Sequence, residues 1–427
     1  MTKRTISNAE EKILEKAAKY LPGGSNGNTI TQDIVIRNGK GSLVWDISGN
    51  EFIDYSLGSG PMLIGHAHPE IISAISEQIS KGSTFFGLNE HAIELAEKIV
   101  QTVPCAEKVR FASTGSEATF HALRAARAYT QKQKILKFEG GYHGMSDYAL
   151  MSMAPSKSIN YPQAAPDSPG IPDSIQSEVL IAPFNDLEST TNLIRQHQNE
   201  LAAVITEPFQ RVIAPIPGFL EGLRTITTEY EIPLIFDEVV TGFRFALGGA
   251  QEYYGVTPDL AAFGKAMAGG FPLTAVVGKT EIMDYFDSES GSVTNGVLQE
   301  GTLNGNPIAA LAGLTAINIL SRENVYENLF AIGNKIKVSL QDMLDQAEIP
   351  ANVIGEAPVF DVYFTSNDIF DYRSSQKADK DKHAKFTSLL LERGIYKNHN
   401  KFYVSIAHSQ KDVDNTLNAF QSAIELM

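Results

Sequence analysis

The stretch from Pro233 to Leu273 constrains this chain more than any other. Within it Leu234-Ile235-Phe236 runs into Asp237-Glu238 and, one crossover later, Leu260 to Phe263 runs into Gly264-Lys265. Short apolar runs bounded by turn signals read as buried parallel strands. In open α/β sheets, ligands gather at the carboxyl ends of such strands. The sequence therefore predicts a carboxylate, Asp237, and an amine, Lys265, on one rim of a sheet. Lys265 is the only lysine between Arg244 and Gly278. For such a pair standing alone the simpler reading is better: Asp237 caps a helix and Lys265 is a solvated loop residue.

Two further stretches change that balance. Lys108 to Ala112 reads as a strand entering the turn Ser113-Thr114-Gly115-Ser116, and Ala118 to Tyr129 as the helix that follows. A helix start offers free backbone N–H groups and the positive end of the dipole, so it holds a phosphate without needing lysine. Gly115 lets the backbone approach, and the Ser116 hydroxyl adds a donor. Gly-Ser ahead of a helix is also ordinary capping. In Glu139-Gly140-Gly141-Tyr142-His143-Gly144, glycines expose an aromatic after the strand Ile135 to Phe138, which suits stacking on a flat ring; a glycine-rich turn with a surface aromatic is the plainer alternative. An amine for an imine, a carboxylate for a pyridine nitrogen, a phosphate cradle and a stacking aromatic are together what pyridoxal 5'-phosphate (PLP) requires.

A net charge of −15 argues against nucleic acid or an anionic membrane as partner. One cysteine, Cys105, excludes a disulfide framework and a cysteine-built metal site, and fits a reducing compartment. His66 and His68 lack Cys, Asp or Glu at ligand spacing, so no metal is expected. The N-terminus shows no signal-peptide pattern and no apolar run reaches membrane-spanning length, so a cytoplasmic location is expected.

Along the chain, Ser7 to Glu10 reads as a capping box opening an amphipathic helix to Tyr20. Short strands are expected at Ile34 to Ile36, Leu43 to Trp45 and Glu51 to Tyr55, and a helix from Glu70 to Lys81. Met153 to Ser177, rich in Pro and Ser, reads as a lid over the site. Ala203 to Ile205 is a strand ending at Glu207. From Val325 onward, helices and a few strands form a smaller unit. The expected division is 1–60, an N-terminal segment; 61–315, the large domain; and 316–427, a small α+β domain.

IFDEVVTGFR followed by FGKAMAGG, with ASTGSEA, EGGYHG and EGTLNGNP in order along the chain, resembles the class III aminotransferases of PLP fold type I. Within that class the chain looks closest to glutamate 1-semialdehyde aminomutase and its related transaminases. The resemblance implies an α/β fold of the aspartate aminotransferase kind: a large, mostly parallel mixed sheet between helices, plus a smaller α+β domain. It implies Lys265 as the Schiff-base lysine and Asp237 as the partner of the pyridine nitrogen. It also implies Gly115 and Ser116 at the phosphate, Tyr142 stacked on the ring and Val239 on the opposite face. Thr302 would reach the phosphate of a neighbouring subunit, making a homodimer with active sites at the interface.

The departures fall in the substrate pocket. Where the aminomutase has a carboxylate-binding arginine this chain has Ile30, and where a serine lies nearby it has Gly27. Its tryptophan is Ser59 here and its C-terminal glutamate is Asn400. Phe209-Gln210-Arg211 replaces a Gly-Asn turn. Losing a bidentate carboxylate clamp is not conservative. Ser59, Arg211 and Asn400 are therefore the candidate substrate residues, with Lys401 a further possible anchor. The resulting expectation is a ping-pong transaminase moving an amino group between an amine or amino acid donor and a keto or aldehyde acceptor. The alternative is an intramolecular aminomutase or racemase. A regulatory PLP-binding protein is disfavoured by the intact site residues, and a nicotinamide enzyme by the lack of a G-x-G-x-x-G after a strand.

Overall fold

The computed structural model describes residues 4–27, 34–287, 296–397 and 399–427. The chain divides into two compact units. The large one comprises Ser73–Arg322 with Ile369–Gln376; the small one comprises Met1–Ile72, Glu323–Asp368 and Lys377–Met427. The small unit opens with β1 (Ile36–Lys40), β2 (Leu43–Asp46) and β3 (Glu51–Asp54). The large unit supplies β4 (Lys108–Ala112), β5 (Lys134–Phe138), β6 (Val179–Ala182), β7 (Leu201–Thr206), β8 (Leu234–Glu238), β9 (Leu260–Phe263) and β10 (Thr274–Gly278). The small unit resumes with β11 (Asn352–Glu356), β12 (Val359–Tyr363), β13 (Ile395–Tyr396) and β14 (Phe402–Tyr403).

The large sheet has seven strands in the order β4-β10-β9-β8-β7-β5-β6. Only β10 runs antiparallel to its neighbours, β4 and β9. Strands β6 to β9 are buried along their whole length, which is why they read as apolar runs without alternation. One face is covered by the helix Gly115–Thr130, whose small buried residues Ala118, Ala122, Ala125 and Ala126 pack with Ile135, Ile205, Ile235 and Val276. Elsewhere in the core, Phe138, Phe184 and Phe219 meet edge to face at 5.0–5.9 Å. In the small unit, β13 joins the β1-β2-β3 sheet parallel to β3, and β11-β12-β14 form a second, antiparallel sheet.

Register places the site. Asp237 pairs with Ala262 and Glu238 with Phe263, so the ends of β8 and β9 lie side by side and Lys265 follows two residues later. Alternation then separates the two carboxylates of Asp237-Glu238 onto opposite faces. Glu238 is fully buried and accepts from Thr241 Oγ1 (2.6 Å) and from the backbone N–H groups of Ala250 (2.7 Å) and Gln251 (3.0 Å), fixing the chain after β8.

Several local expectations differ from what is found. The helix Asn8–Tyr20 is capped by Ser7, which accepts from the Glu10 N–H, but the box is not completed. The buried Glu10 carboxylate instead takes Arg4 and the Val35 N–H, because burial demands charged and backbone donors. The first strand lies at Ile36–Lys40, later than expected, paired with β2 through a bulge. Strands β6 and β10 were not anticipated. The stretch 153–177 is no free flap: Ile181 N–H bonds Pro162 O at 3.0 Å, Ala164 is buried, and Ile171 and Ile175 pack on the core. Among the described residues, no helix is long and apolar enough to cross a membrane.

Candidate active site

The carboxyl ends of the large sheet deliver the sequence-selected residues one strand at a time. Asp237, 5 % exposed, is the penultimate residue of β8. Its Oδ1 accepts from Val239 N–H at 3.1 Å and its Oδ2 lies 2.9 Å from His143 Nδ1. Lys265 follows Gly264 at φ +46°, a left-handed backbone rarely taken by a residue with a side chain. Strain of that kind concentrates at functional sites.

Thr114 caps the helix Gly115–Thr130 in a full capping box with Glu117, whose carboxylate accepts the N–H groups of Ser113 and Thr114 at 2.9 Å each. This puts Gly115 and Ser116 in the first turn, where N–H groups have no intrahelical acceptor. A Cβ on Gly115 would lie 3.2 Å from Val239 Cγ1, so only glycine leaves that space open. The glycine-rich loop is tied to the same turn: Met145 N–H donates to Ser116 Oγ (3.1 Å) and Thr119 Oγ1 to His143 O (2.6 Å). Gly144 sits at φ +90°, with its notional Cβ 2.5 Å from Ser116 Cα. Tyr142 is half-buried, its N–H held by Glu207 Oε1 at 2.7 Å.

Arg211, at φ +61°, donates from Nε to Gly140 O at 3.0 Å, and its guanidinium carbon lies 5.1 Å from the Tyr142 ring centre. Thr302 is exposed and lies apart from these residues in sequence, in a cleft lined by Thr84 to Asn89, Gly301, Thr302 and Asn304 to Pro307. Ser59 (φ +67°) and Asn400 are exposed in the small unit; Lys401 is buried there, its Nζ 5.8 Å from the Tyr403 ring centre. Ile30 lies outside the described residues.

Two residues had no assigned role in the sequence reading. His143 Nε2 and Gln210 Oε1 are buried without a hydrogen-bond partner among the described residues. Both face the small space beside Gly141, whose notional Cβ would lie 3.1 Å from one and 3.5 Å from the other. Buried polar atoms left open in this way point to a ligand or an ordered water. Adjacency to Tyr142 in a glycine-flanked run was the only signal for His143. Together, the glycine-walled helix start, the backed carboxylate and the lysine at the next strand end fit a PLP group.

A sheet of this order with a lysine and a carboxylate on adjacent strand ends defines a PLP-dependent enzyme of fold type I. The family profile described as "Aminotransferase class-III" matches residues 25–424, and the chain belongs to that family. It is 40 % identical over 423 residues, 97 % of each chain, to the glutamate-1-semialdehyde 2,1-aminomutase of Methanosphaera stadtmanae. Among solved structures it is similar to an omega-transaminase from Sphaerobacter thermophilus (34 % identity, TM-score 0.92, 98 % and 97 % of the two chains). It is also similar to a transaminase with PLP bound (26 % identity, TM-score 0.91, 99 % and 98 %). Pyridoxal 5'-phosphate is accordingly the cofactor.

Behind the site, fully buried Lys137 donates from Nζ to Ala149 O (2.6 Å) and Met151 O (2.7 Å), anchoring the far end of the glycine-rich loop. Burial pushes its ammonium down to about 7, whereas the unfolded chain keeps a lysine value of about 10.4. Between those values the unfolded state binds the extra proton, so this group's contribution to stability rises with pH; below about 7 the full cost of burying the charge remains. The stability of the apoprotein relative to Lys137→Met is expected to grow between about pH 7 and pH 9 in denaturant titrations. Parallel pH profiles for the two proteins would refute this.

Proposed function

We propose that the chain catalyses PLP-dependent amino transfer within a single small molecule, in the manner of an aminomutase. The observation that carries this reading is the end-to-end similarity to glutamate-1-semialdehyde aminomutases at 38–40 % identity. It favours the intramolecular alternative over the two-substrate transaminase expected from sequence. Transamination between an amine donor and a keto or aldehyde acceptor is the second reading. It is supported by Ile30, Ser59 and Asn400, which stand where the aminomutase resemblance implies arginine, tryptophan and glutamate.

When bound, PLP supplies the imine-forming aldehyde and an electron sink. The chain's own residues do the rest. Lys265 would form the imine with that aldehyde, and its Nζ, once released, would move a proton to and from the carbon bearing the amine, the usual role of a positioned base. Asp237, held by His143 Nδ1–H, would pair with the ring nitrogen. Gly115 and Ser116 would hold the phosphate, and Tyr142 and Val239 would flank the ring. Arg211 is the proposed carboxylate anchor: Nε is committed to Gly140 O, while neither terminal nitrogen bonds a described residue.

The first test supplies candidate amino-carbonyl compounds, one at a time, to the PLP-loaded protein. Turnover without a second substrate supports the intramolecular form; an absolute need for a separate acceptor refutes it in favour of transamination. Lys265→Ala is expected to abolish turnover in either case, and retained turnover would sink the mechanism. Arg211→Met should raise KM for carboxylated substrates about 10- to 100-fold, the loss of a charge-assisted bond, and an unchanged KM would remove Arg211 from substrate binding.

A homodimer is proposed with it. Phe86 (76 % exposed) and Leu88 (92 %) flank the cleft that holds Thr302, an apolar patch of the kind that marks an interface. Light scattering after size exclusion is expected to give two copies, and Leu88→Asp to shift the population to one. A monomeric wild type would overturn this.

A further inference from the structure

The large unit includes a short second segment, Ile369–Gln376, inserted between two stretches of small-unit sequence. It holds the four-residue helix Tyr372–Ser375, capped by Asp371 in a capping box with Ser374. Phe370 O accepts from Asn185 Nδ2 at 2.8 Å, which secures its entry. The next two side chains both reach the segment that follows β5.

Arg373 meets Glu139, the residue after β5 and 2 % exposed, in a bidentate pair: Nε to Oε2 at 2.7 Å and Nη2 to Oε1 at 3.1 Å. Nη2 also donates to Ile159 O (2.6 Å), and the guanidinium lies 4.1 Å from the centre of the Tyr161 ring. The Tyr161 hydroxyl completes the cluster with a 2.7 Å bond to Glu139 Oε2; burial and the carboxylate together push that phenol well up. Tyr372 covers Gly140 so closely that a Cβ there would lie 2.6 Å from the ring, and its hydroxyl donates to Pro155 O at 3.3 Å. On the other side, Gln210 Nε2 donates to Glu139 O (2.8 Å) and Arg211 Nε to Gly140 O (3.0 Å). The hinge Glu139-Gly140-Gly141 is thus held from two sides immediately before Tyr142 and His143.

We propose that Arg373 is a positioning residue for the cofactor loop: through Glu139 it fixes the glycine hinge, and with it the Tyr142 ring and the His143 Nδ1 contact to Asp237. The inference rests on the cofactor reading of that loop. Glycines leave a loop free to wander, so a site that needs sub-ångström placement must be held from outside. A planar guanidinium on a buried carboxylate supplies both direction and strength. Without Arg373, the Glu139 carboxylate keeps only the Tyr161 hydroxyl, and the hinge loses one of its two supports.

The test uses full-length wild type, Arg373→Met, Glu139→Gln and the double variant. PLP is titrated into each apoprotein and followed by the visible band of the bound cofactor, whose pH titration is recorded. Hydrogen exchange of the Tyr142 and Met145 amides is measured on the apoproteins. Arg373→Met is expected to weaken PLP binding roughly tenfold or more, move the pH midpoint of the visible band, and speed the two amides by a similar factor with the rest of the sheet unchanged. Glu139→Gln, nearly isosteric, should do the same, and the double variant should be no worse than either single, because both act on one contact. Wild-type affinity, pH midpoint and exchange in both single variants would overturn the proposal, as would full additivity in the double. A wild type that takes up no PLP would overturn the cofactor reading itself, and this inference with it. If Arg373→Met fails to fold, Glu139→Gln decides the question alone.

Discussion

The carboxylate of Asp237, almost sealed from solvent at the end of a buried strand, is the constraint on which the site depends. A buried carboxylate is tolerable only when its oxygens accept hydrogen bonds. One oxygen takes the Val239 N–H, which forces the chain to turn immediately after β8; the other takes His143, which forces the loop after β5 to return across the sheet end. That loop in turn needs Gly144 to pass Ser116, and Ser116 to hold Met145. The helix start at Gly115, the loop that carries Tyr142 and the buried Asp237 are therefore coupled pieces of one arrangement.

The parts of this arrangement visible in the sequence are those written in local pattern. Unbroken apolar runs announced β8 and β9 because both faces of these strands are covered, and their neighbouring ends followed from the rule for parallel sheets. Strand β10 escaped notice because Thr274 to Gly278 is short and follows a Gly-Gly-Phe-Pro turn that masks it. Ser7 and Glu10 carried a capping signature, yet tertiary demand claimed the glutamate for Arg4 and Val35. His143 lay in plain view, but its partner is 94 residues away, and no periodicity reports that distance. The Glu139–Arg373 pair, 234 residues apart, is more remote still. Local chemistry is legible in one dimension, whereas partnership across the fold is not.

The family assignment and the pocket residues pull toward different activities for a physical reason. Cofactor binding is built from strand ends and backbone N–H groups, which tolerate little change. Substrate recognition depends on a few side chains, and one arginine replaced by isoleucine alters it without disturbing the frame. Full-length similarity therefore speaks chiefly for the family and its cofactor, and the proposed roles of Lys265 and Arg211 are what the variants test.

The segment Ile369–Gln376 bears on how this molecule can be altered. Because it belongs to the large unit while its flanks belong to the small one, the chain cannot be cut once into two self-sufficient halves. A C-terminal portion borrowed from a relative would bring its own counterpart of Arg373, which must suit the host's Glu139. A recombination point at either unit boundary between them, after Arg322 or after Asp368, would separate the Glu139 carboxylate from its counter-ion. A carboxylate and a guanidinium that share two hydrogen bonds across 234 residues must therefore travel together in any chimera.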